Sequence, residues 1–188
     1  MGRNEFEPIV KVPEGAFEGW YISCDYGTVN PMSMGLWGLK NGVWYRVNEY
    51  YFDSRAKKRQ MTDGEYEREL CTLAGGREIR EVIVDPSAAS FLQLLRQKGW
   101  RVRKANNDVL SGIRATADAL KTGRIKICTP CRDCLREMEE YVWDLRGGQK
   151  DQVKKEHDHA MDDMRYFVST VLQAGEAGFA VGTVARRR

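Results

Sequence analysis

Apolar and polar positions along this chain follow two periods in turn. The first third carries the strand signal. Trp20 to Cys24 (WYISC) is a short apolar run closed by Asp25 and Gly27, which predicts a buried strand ending in a turn. Ser33 to Leu39 (SMGLWGL) predicts a second strand, and Val43 to Phe52 (VWYRVNEYYF), aromatic and β-branched, a third. Asn41-Gly42 between them is a hairpin turn, because both positions tolerate positive φ. These three strands are expected to form an antiparallel meander.

The period then lengthens. Thr62 to Ala74 predicts a helix with Thr62 as N-cap and Glu65 in the capping-box position. Glu81 to Asp85 (EVIVD) is a short apolar strand, Ser87 to Lys98 a helix ended by Gly99, Trp100 to Lys104 a strand, and Asp108 to Thr122 a helix ended by Gly123. Leu135 to Leu145 begins as a helix and turns toward strand, with Gly147-Gly148 as the turn of a hairpin joining 141–146 to 149–155. Asp158 to Leu172 is a last amphipathic helix whose core face is marked by Met161, Met164, Val168 and Val171. Strands that alternate with helices imply an α/β domain, with a partly parallel sheet covered on both faces. The expected organisation is an irregular lead-in over 1–17, one domain over 18–174, and a flexible, glycine-rich basic tail over 175–188, without internal repeats.

Composition narrows the class only moderately. Hydrophobic residues make up 42% and charged residues 30% of 188, as in an ordinary globular protein. No apolar run approaches the ~20 residues needed to span a bilayer, and the polar opening MGRNEFEPIVKVPEG has no signal-peptide core, so no membrane is expected and a cytosolic protein is the default. The net charge of +3 does not itself indicate nucleic acid, but Arg55, Lys57, Lys58 and Arg59 cluster, as do Arg96, Lys98, Arg101, Arg103 and Lys104. Each group is either a phosphate-binding surface or a set of solvated charges. Of five cysteines, Cys24 and Cys71 sit in apolar surroundings and are expected to be buried. Cys128, Cys131 and Cys134 form a CxxCxxC run, but a structural zinc site takes four ligands, usually from two pairs, and there is no second pair. A turn running into a helix explains the spacing as well.

Three acidic positions stand out by location: Asp25 ends the first strand, Asp85 ends the fourth, and Asp162 lies in the last helix. Sites in open α/β sheets gather at the carboxyl ends of strands. Two strand-terminal aspartates and a helix carboxylate beside them suit hard divalent ions such as magnesium or manganese. Alone, each has a plainer role. Asp25 is a turn residue before Gly27, Asp85 precedes Pro86 and can cap the next helix, and Asp158 is a natural N-cap. In the last helix His159 and Asp162 share a face, as do Asp158 and Asp162, whereas Asp163 projects elsewhere. His157 reads as a surface residue.

Together, YISCDYG at 21–27, VIVDPSA at 82–88, DHAMDDMRYFV at 158–168 and DVLSGIRATADALKTGRIKI at 108–127 resemble the nuclease domain of tailed-phage large terminases. The resemblance runs from about residue 18 to residue 173. It implies a ribonuclease-H-like (RuvC/integrase-like) fold, a mixed central sheet with helices on both faces. It also implies metal-dependent cleavage of concatemeric double-stranded viral DNA during packaging, with two Mg2+ or Mn2+ ions. Asp25 then corresponds to the aspartate that bridges the metals, Asp85 to the second acidic ligand, Asp162 to the helix aspartate and His159 to the histidine before it. Asp163 departs from the family, which usually has alanine there, so the metal-binding carboxylate among Asp158, Asp162 and Asp163 stays open. Arg55, Lys57, Lys58 and Arg59, with Lys150 and Lys154 of the expected hairpin, would guide DNA. Implied partners are an N-terminal ATPase motor, a small terminase and a portal, in the cytoplasm of the infected bacterial host. The chain has no GxxxxGK[ST] loop, so it reads as an isolated nuclease half without translocase activity. The rival readings are a RuvC-like junction resolvase, an actin-like phosphotransferase suggested by DYGT, and a non-catalytic DNA-binding module.

Overall fold

The computed structural model describes residues 7–146 and 158–175. Its strands are β1 (Ile9–Val10), β2 (Gly19–Asp25), β3 (Met32–Lys40), β4 (Val43–Phe52), β5 (Ile79–Val84), β6 (Val102–Lys104) and β7 (Ile125–Cys128). Its helices are α1 (Ser54–Lys57), α2 (Asp63–Ala74), α3 (Ala89–Gln97), α4 (Val109–Lys121), α5 (Arg132–Arg146) and α6 (His159–Phe167). The strands form one mixed sheet in the order β1-β7-β4-β3-β2-β5-β6. The expected meander is present: β2 and β4 both pair antiparallel with β3. The β3–β4 turn holds Asn41 at φ 50° and Gly42 at φ 76°, the left-handed conformation that a two-residue hairpin needs. Beside it β5 joins β2 in parallel, β6 joins β5 and β7 joins β4.

Strand alternation sends side chains to two cores. Ile22, Cys24, Met34, Leu36 and Val84 face one side, where α2 and α3 bring Tyr66, Leu70, Phe91 and Leu92. Trp37, Ile125 and Ile127 face the other, against Ala119 of α4, Cys134 of α5 and Met164 and Phe167 of α6. Helix ends follow their caps. Thr62 and Glu65 close a full capping box on α2, Asp108 caps α4, and Gly99 and Gly123 turn the chain at positive φ after α3 and α4.

Several expectations need correcting. β1 lies within the segment read as irregular and gains its order from pairing with β7 rather than from its own sequence. β7 and the four-residue α1 were not resolved by the residue pattern, being too short for a period to register. α5 is helical through Arg146 rather than turning to strand, so the first arm of the expected hairpin is helix. Gly147-Gly148 and 149–155, with Lys150, Lys154 and His157, lie outside the described residues. Cys71 is exposed, because it sits on the outer face of α2. The last helix changes to a π-helical turn over Val168–Leu172. There the backbone carbonyl of Thr170 accepts from Arg103 (3.1 Å) and its hydroxyl oxygen from the Asn106 amide (3.0 Å). Among the described residues no helix is long and apolar enough to cross a membrane.

Candidate active site

Parallel pairing of β2 with β5 brings Cys24 opposite Val84. The next residues, Asp25 and Asp85, therefore emerge side by side at the carboxyl ends of adjacent strands, and the Asp85 amide still donates to the Cys24 carbonyl at 3.2 Å. α6 crosses the same strands, and its first turn brings His159 and Asp162 to this end. His159 Nδ1 lies 2.9 Å from Asp25 Oδ2. Asp162 Oδ1 accepts from Arg165 Nη2 at 3.2 Å, and the Arg165 guanidinium is also held by Asn107. Asp85 Oδ1 accepts from the Ser87 amide (2.9 Å) and hydroxyl (2.8 Å), which holds the turn before α3; the N-cap of that helix is Ala88, so the expected capping by Asp85 does not occur.

Tyr166 of α6 feels the charges of all three carboxylates. Burial raises the pKa of its hydroxyl, and the charges of Asp25, Asp85 and Asp162 add to that effect. Asp25 is 7% exposed. Burial pushes its pKa up to about 7, against the hydrogen bond from His159 and with help from the charge of Asp162. Asp162 is raised for the same reasons, burial first and then the charge of Asp158. Burial opposes the charged form of His159, but the hydrogen bond and charge of Asp25 outweigh it and raise the pKa. Carboxylates held together in low dielectric disfavour their own ionisation unless a cation joins them.

The donor set, three aspartates near one histidine, fits a hard divalent ion. Among the described residues, however, no three His, Cys, Asp or Glu side chains are arranged as a formed metal cage. Each of the three aspartates has one oxygen engaged by its own neighbour.

The other acidic residues of α6 separate cleanly. Asp163 is 0% exposed and points into the sheet. It pairs with Arg46 of β4 and accepts from the hydroxyls of Ser23 and Ser33. It faces away from the crevice, and its partner Arg46 sits unannounced in the middle of an aromatic strand. Asp158 stands at the N-cap position but makes no capping hydrogen bond. Glu137 of α5, which the residue pattern did not single out, caps α6 instead, accepting from the amides of Ala160 (2.7 Å) and Met161 (3.0 Å). The signals available in sequence were a lone arginine amid aromatics and an acidic residue on the apolar side of α5.

α1 carries the basic cluster on the same side of the fold. Ser54 Oγ donates to the carbonyls of Thr28 (2.9 Å) and Val29 (3.0 Å), in the loop that follows Asp25. Arg55, Lys57, Lys58 and Arg59 are exposed, with Arg55 reaching Asn30 and Arg59 paired with Glu65. Cys128, Cys131 and Cys134 are buried free thiols. Burial raises their pKa values, that of Cys128 to about 11, so they pack as apolar groups.

The sequence profile of the Terminase RNaseH-like domain matches residues 22–170. The large terminase of a thermophilic bacteriophage, solved in complex with ADP, is 47% identical with a TM-score of 0.82, covering 90% of this chain and 43% of its own. The large terminase subunit of Escherichia phage T5 is 22% identical over 133 residues, 68% of this chain and 30% of its own length. The chain therefore spans less than half of these relatives. The fold is shared with the nuclease domain of the bacteriophage SPP1 large terminase, solved with bound Mn, at 16% identity and a TM-score of 0.61, covering 86% of this chain and 94% of that one.

Proposed function

The chain belongs to the Terminase RNaseH-like domain family, and we propose that it is the nuclease part of a large terminase, a metal-dependent endonuclease that cuts concatemeric double-stranded viral DNA during packaging. The observation that carries this reading is geometric: β2 and β5 end side by side, so Asp25 and Asp85 emerge together, and α6 lays His159 against Asp25 with Asp162 in the same first turn. Burial raises the pKa values of Asp25 and Asp162, which a bound cation would relieve, and a relative of the same fold was solved with Mn.

Asp25, Asp85 and Asp162 would hold two divalent ions, Mg2+ or Mn2+. When bound, such ions supply activation of water and stabilisation of the departing 3′ oxygen. The residues of the chain do the rest. Asp25 holds His159 through Nδ1. That leaves His159 Nε2 to hold or pass a proton at a water or phosphate oxygen. Arg165 and Asn107 orient Asp162. Asp163 anchors α6 and is not a ligand, which leaves Asp162 as the helix ligand, with Asp158 a half-buried auxiliary beside it. Arg55, Lys57, Lys58 and Arg59 would meet the phosphate backbone beside the 27–30 loop; Lys150 and Lys154, which lie outside the described residues, would contact DNA as well. In the whole protein, the partners would be an ATPase motor, a small terminase and a portal, acting in the cytoplasm of the infected host.

The test is incubation with supercoiled plasmid under Mg2+, Mn2+ or chelator, alongside Asp25→Ala and Asp162→Ala. Nicking and linearisation that need metal and vanish in both folded variants support the nuclease. A folded protein that binds plasmid but never cuts it, with or without metal, is instead a DNA-binding module.

A further inference from the structure

The first turn of a helix leaves amide groups without acceptors of its own. In α6 that turn also carries His159 and Asp162. An aspartate stands ready at the capping position, yet Asp158 makes no cap. The acceptor comes from another helix. Glu137 Oε2 takes the amides of Ala160 at 2.7 Å and Met161 at 3.0 Å, while Oε1 takes the hydroxyl of Tyr51 at 2.8 Å. Glu137 is only 2% exposed, and burying a carboxylate costs stability unless its hydrogen bonds are made. A local cap would secure the helicity of α6 alone. A cap from α5, itself seated by β4, also fixes where α6 sits. Ala160 and Met161 fill the two positions between His159 and Asp162, so the hydrogen-bonded amides belong to the segment that presents both side chains.

Resting on the metal-dependent nuclease reading, we infer that Glu137 is a positioning residue of the site: seated by Tyr51, its carboxylate holds the first turn of α6 so that His159 and Asp162 face Asp25. Glu137 touches neither metal nor DNA. It acts through backbone amides, as supporting groups behind ligands do. Its removal should therefore reduce Mn2+ affinity and kcat while leaving KM for plasmid close to wild type.

The experiment measures Mn2+ binding by calorimetry, plasmid cleavage and thermal melting for the full chain and for Glu137→Gln, Glu137→Leu and Glu137→Asp, with Asp25→Ala as reference. Glutamine keeps an acceptor for the α6 amides and should stay within about threefold of wild type. Leucine has no acceptor, and folded protein should lose about 10–100-fold in Mn2+ affinity. Glu137→Asp, which keeps the charge but withdraws it by one methylene, should show a comparable loss and serves if the leucine variant does not fold. Folded variants that melt lower but bind Mn2+ and cut like wild type would reduce Glu137 to a purely structural cap and overturn the inference. A glutamine variant as weak as leucine would overturn it too, by assigning the effect to charge rather than position. If instead wild type binds no Mn2+, or Asp25→Ala binds it unchanged, the nuclease-site reading fails and this inference with it.

Discussion

Arg46 and Asp163 form an ion pair from which water is excluded: both side chains are 0% exposed, with Arg46 Nη2 2.9 Å from Asp163 Oδ2. Ser23 and Ser33 donate to the same carboxylate, and Glu49 takes Arg46 Nη2 at 3.2 Å. Glu49 also accepts from the amides of Asp133 and Cys134 at the start of α5. One buried network thus joins β2, β3, β4, α5 and α6 directly behind the crevice. The adjacent residues Asp162 and Asp163 lie on different faces of α6, one partly exposed and paired with Arg165 and one locked in the core.

Asp163→Ala should cost about 3–5 kcal/mol of stability, the usual penalty for leaving a buried charge without its partner. Asp162→Asn should melt close to wild type and abolish cleavage. Urea denaturation read beside plasmid nicking separates the two. If Asp163→Ala is as stable as wild type while Mn2+ binding disappears, the two roles have been assigned the wrong way round.

Gly35→Ala should be severely destabilising despite adding one methyl group. Its Cβ would stand 2.0 Å from Arg46 Nη1, 2.6 Å from Arg46 Cζ and 3.0 Å from Asp163 Oδ1. The guanidinium is enclosed on all sides and cannot swing away, so overpacking here should cost about 1–3 kcal/mol or more. Gly42→Ala, where a Cβ would meet nothing within 4 Å, is the control and should suffer only the strain of its positive φ. Equal melting temperatures for Gly35→Ala and wild type would show that the ion pair gives way more easily than its enclosure implies.

Metal-free protein should lose stability as pH rises from about 4 through about 7. Asp25 and Glu137 are each pushed by burial up to about 7, so the folded state keeps protons that the unfolded state has already released. Where the folded state binds more protons, stability falls with rising pH. Asp25→Asn and Glu137→Gln should each flatten part of that slope in urea titrations at pH 5.5 and 8. Millimolar Mn2+ should restore stability at pH 8 in wild type but not in Asp25→Asn, because a ligand that binds only the folded state stabilises it. A metal-free protein more stable at pH 8 than at pH 5.5 would contradict the sign.

Removing the exposed charges of α1 and the residues that follow it should weaken plasmid binding and its salt dependence together. Every phosphate that the protein no longer neutralises lowers the slope of log K against log salt by about 0.9. Lys57→Ala with Lys58→Ala should therefore reduce the slope by up to about 2, measured by fluorescence anisotropy on a labelled duplex. Arg59 is partly neutralised by Glu65, so Arg59→Ala should contribute less. An unchanged slope would remove α1 from the DNA path.

Long segments with a clear period were legible in the sequence. The β2–β3–β4 meander, the capping box of α2 and the glycine ends of α3 and α4 all follow from local rules. Short pieces were not: Ile125–Cys128 becomes a strand because β4 and β1 flank it, information that lies far away in the chain. The end of α5 misled for the opposite reason. Tyr141, Val142 and Trp143 favour strand by propensity, yet they continue a helix whose earlier turns pack on α6. At the site, the strand-end aspartates could be located from the residue pattern alone. The partners behind them could not, because a buried arginine or glutamate gives no periodic signal. Only the packing of α6 over the sheet reveals that Arg46 answers Asp163 and that the helix aspartates do different work.

His159 and Asp25 meet although 134 positions separate them along the chain. Contacts of that span form late, after local hairpins and helices have closed their shorter loops. During synthesis the meander that carries Asp25 is complete while α6 has yet to leave the ribosome. The crevice therefore stays half-built until the last helix docks, and any transient release of α6 dismantles it again. A site assembled this way is incomplete in every partly folded form of the chain, so it arrives with the docking of α6 and departs with the first local opening that releases that helix.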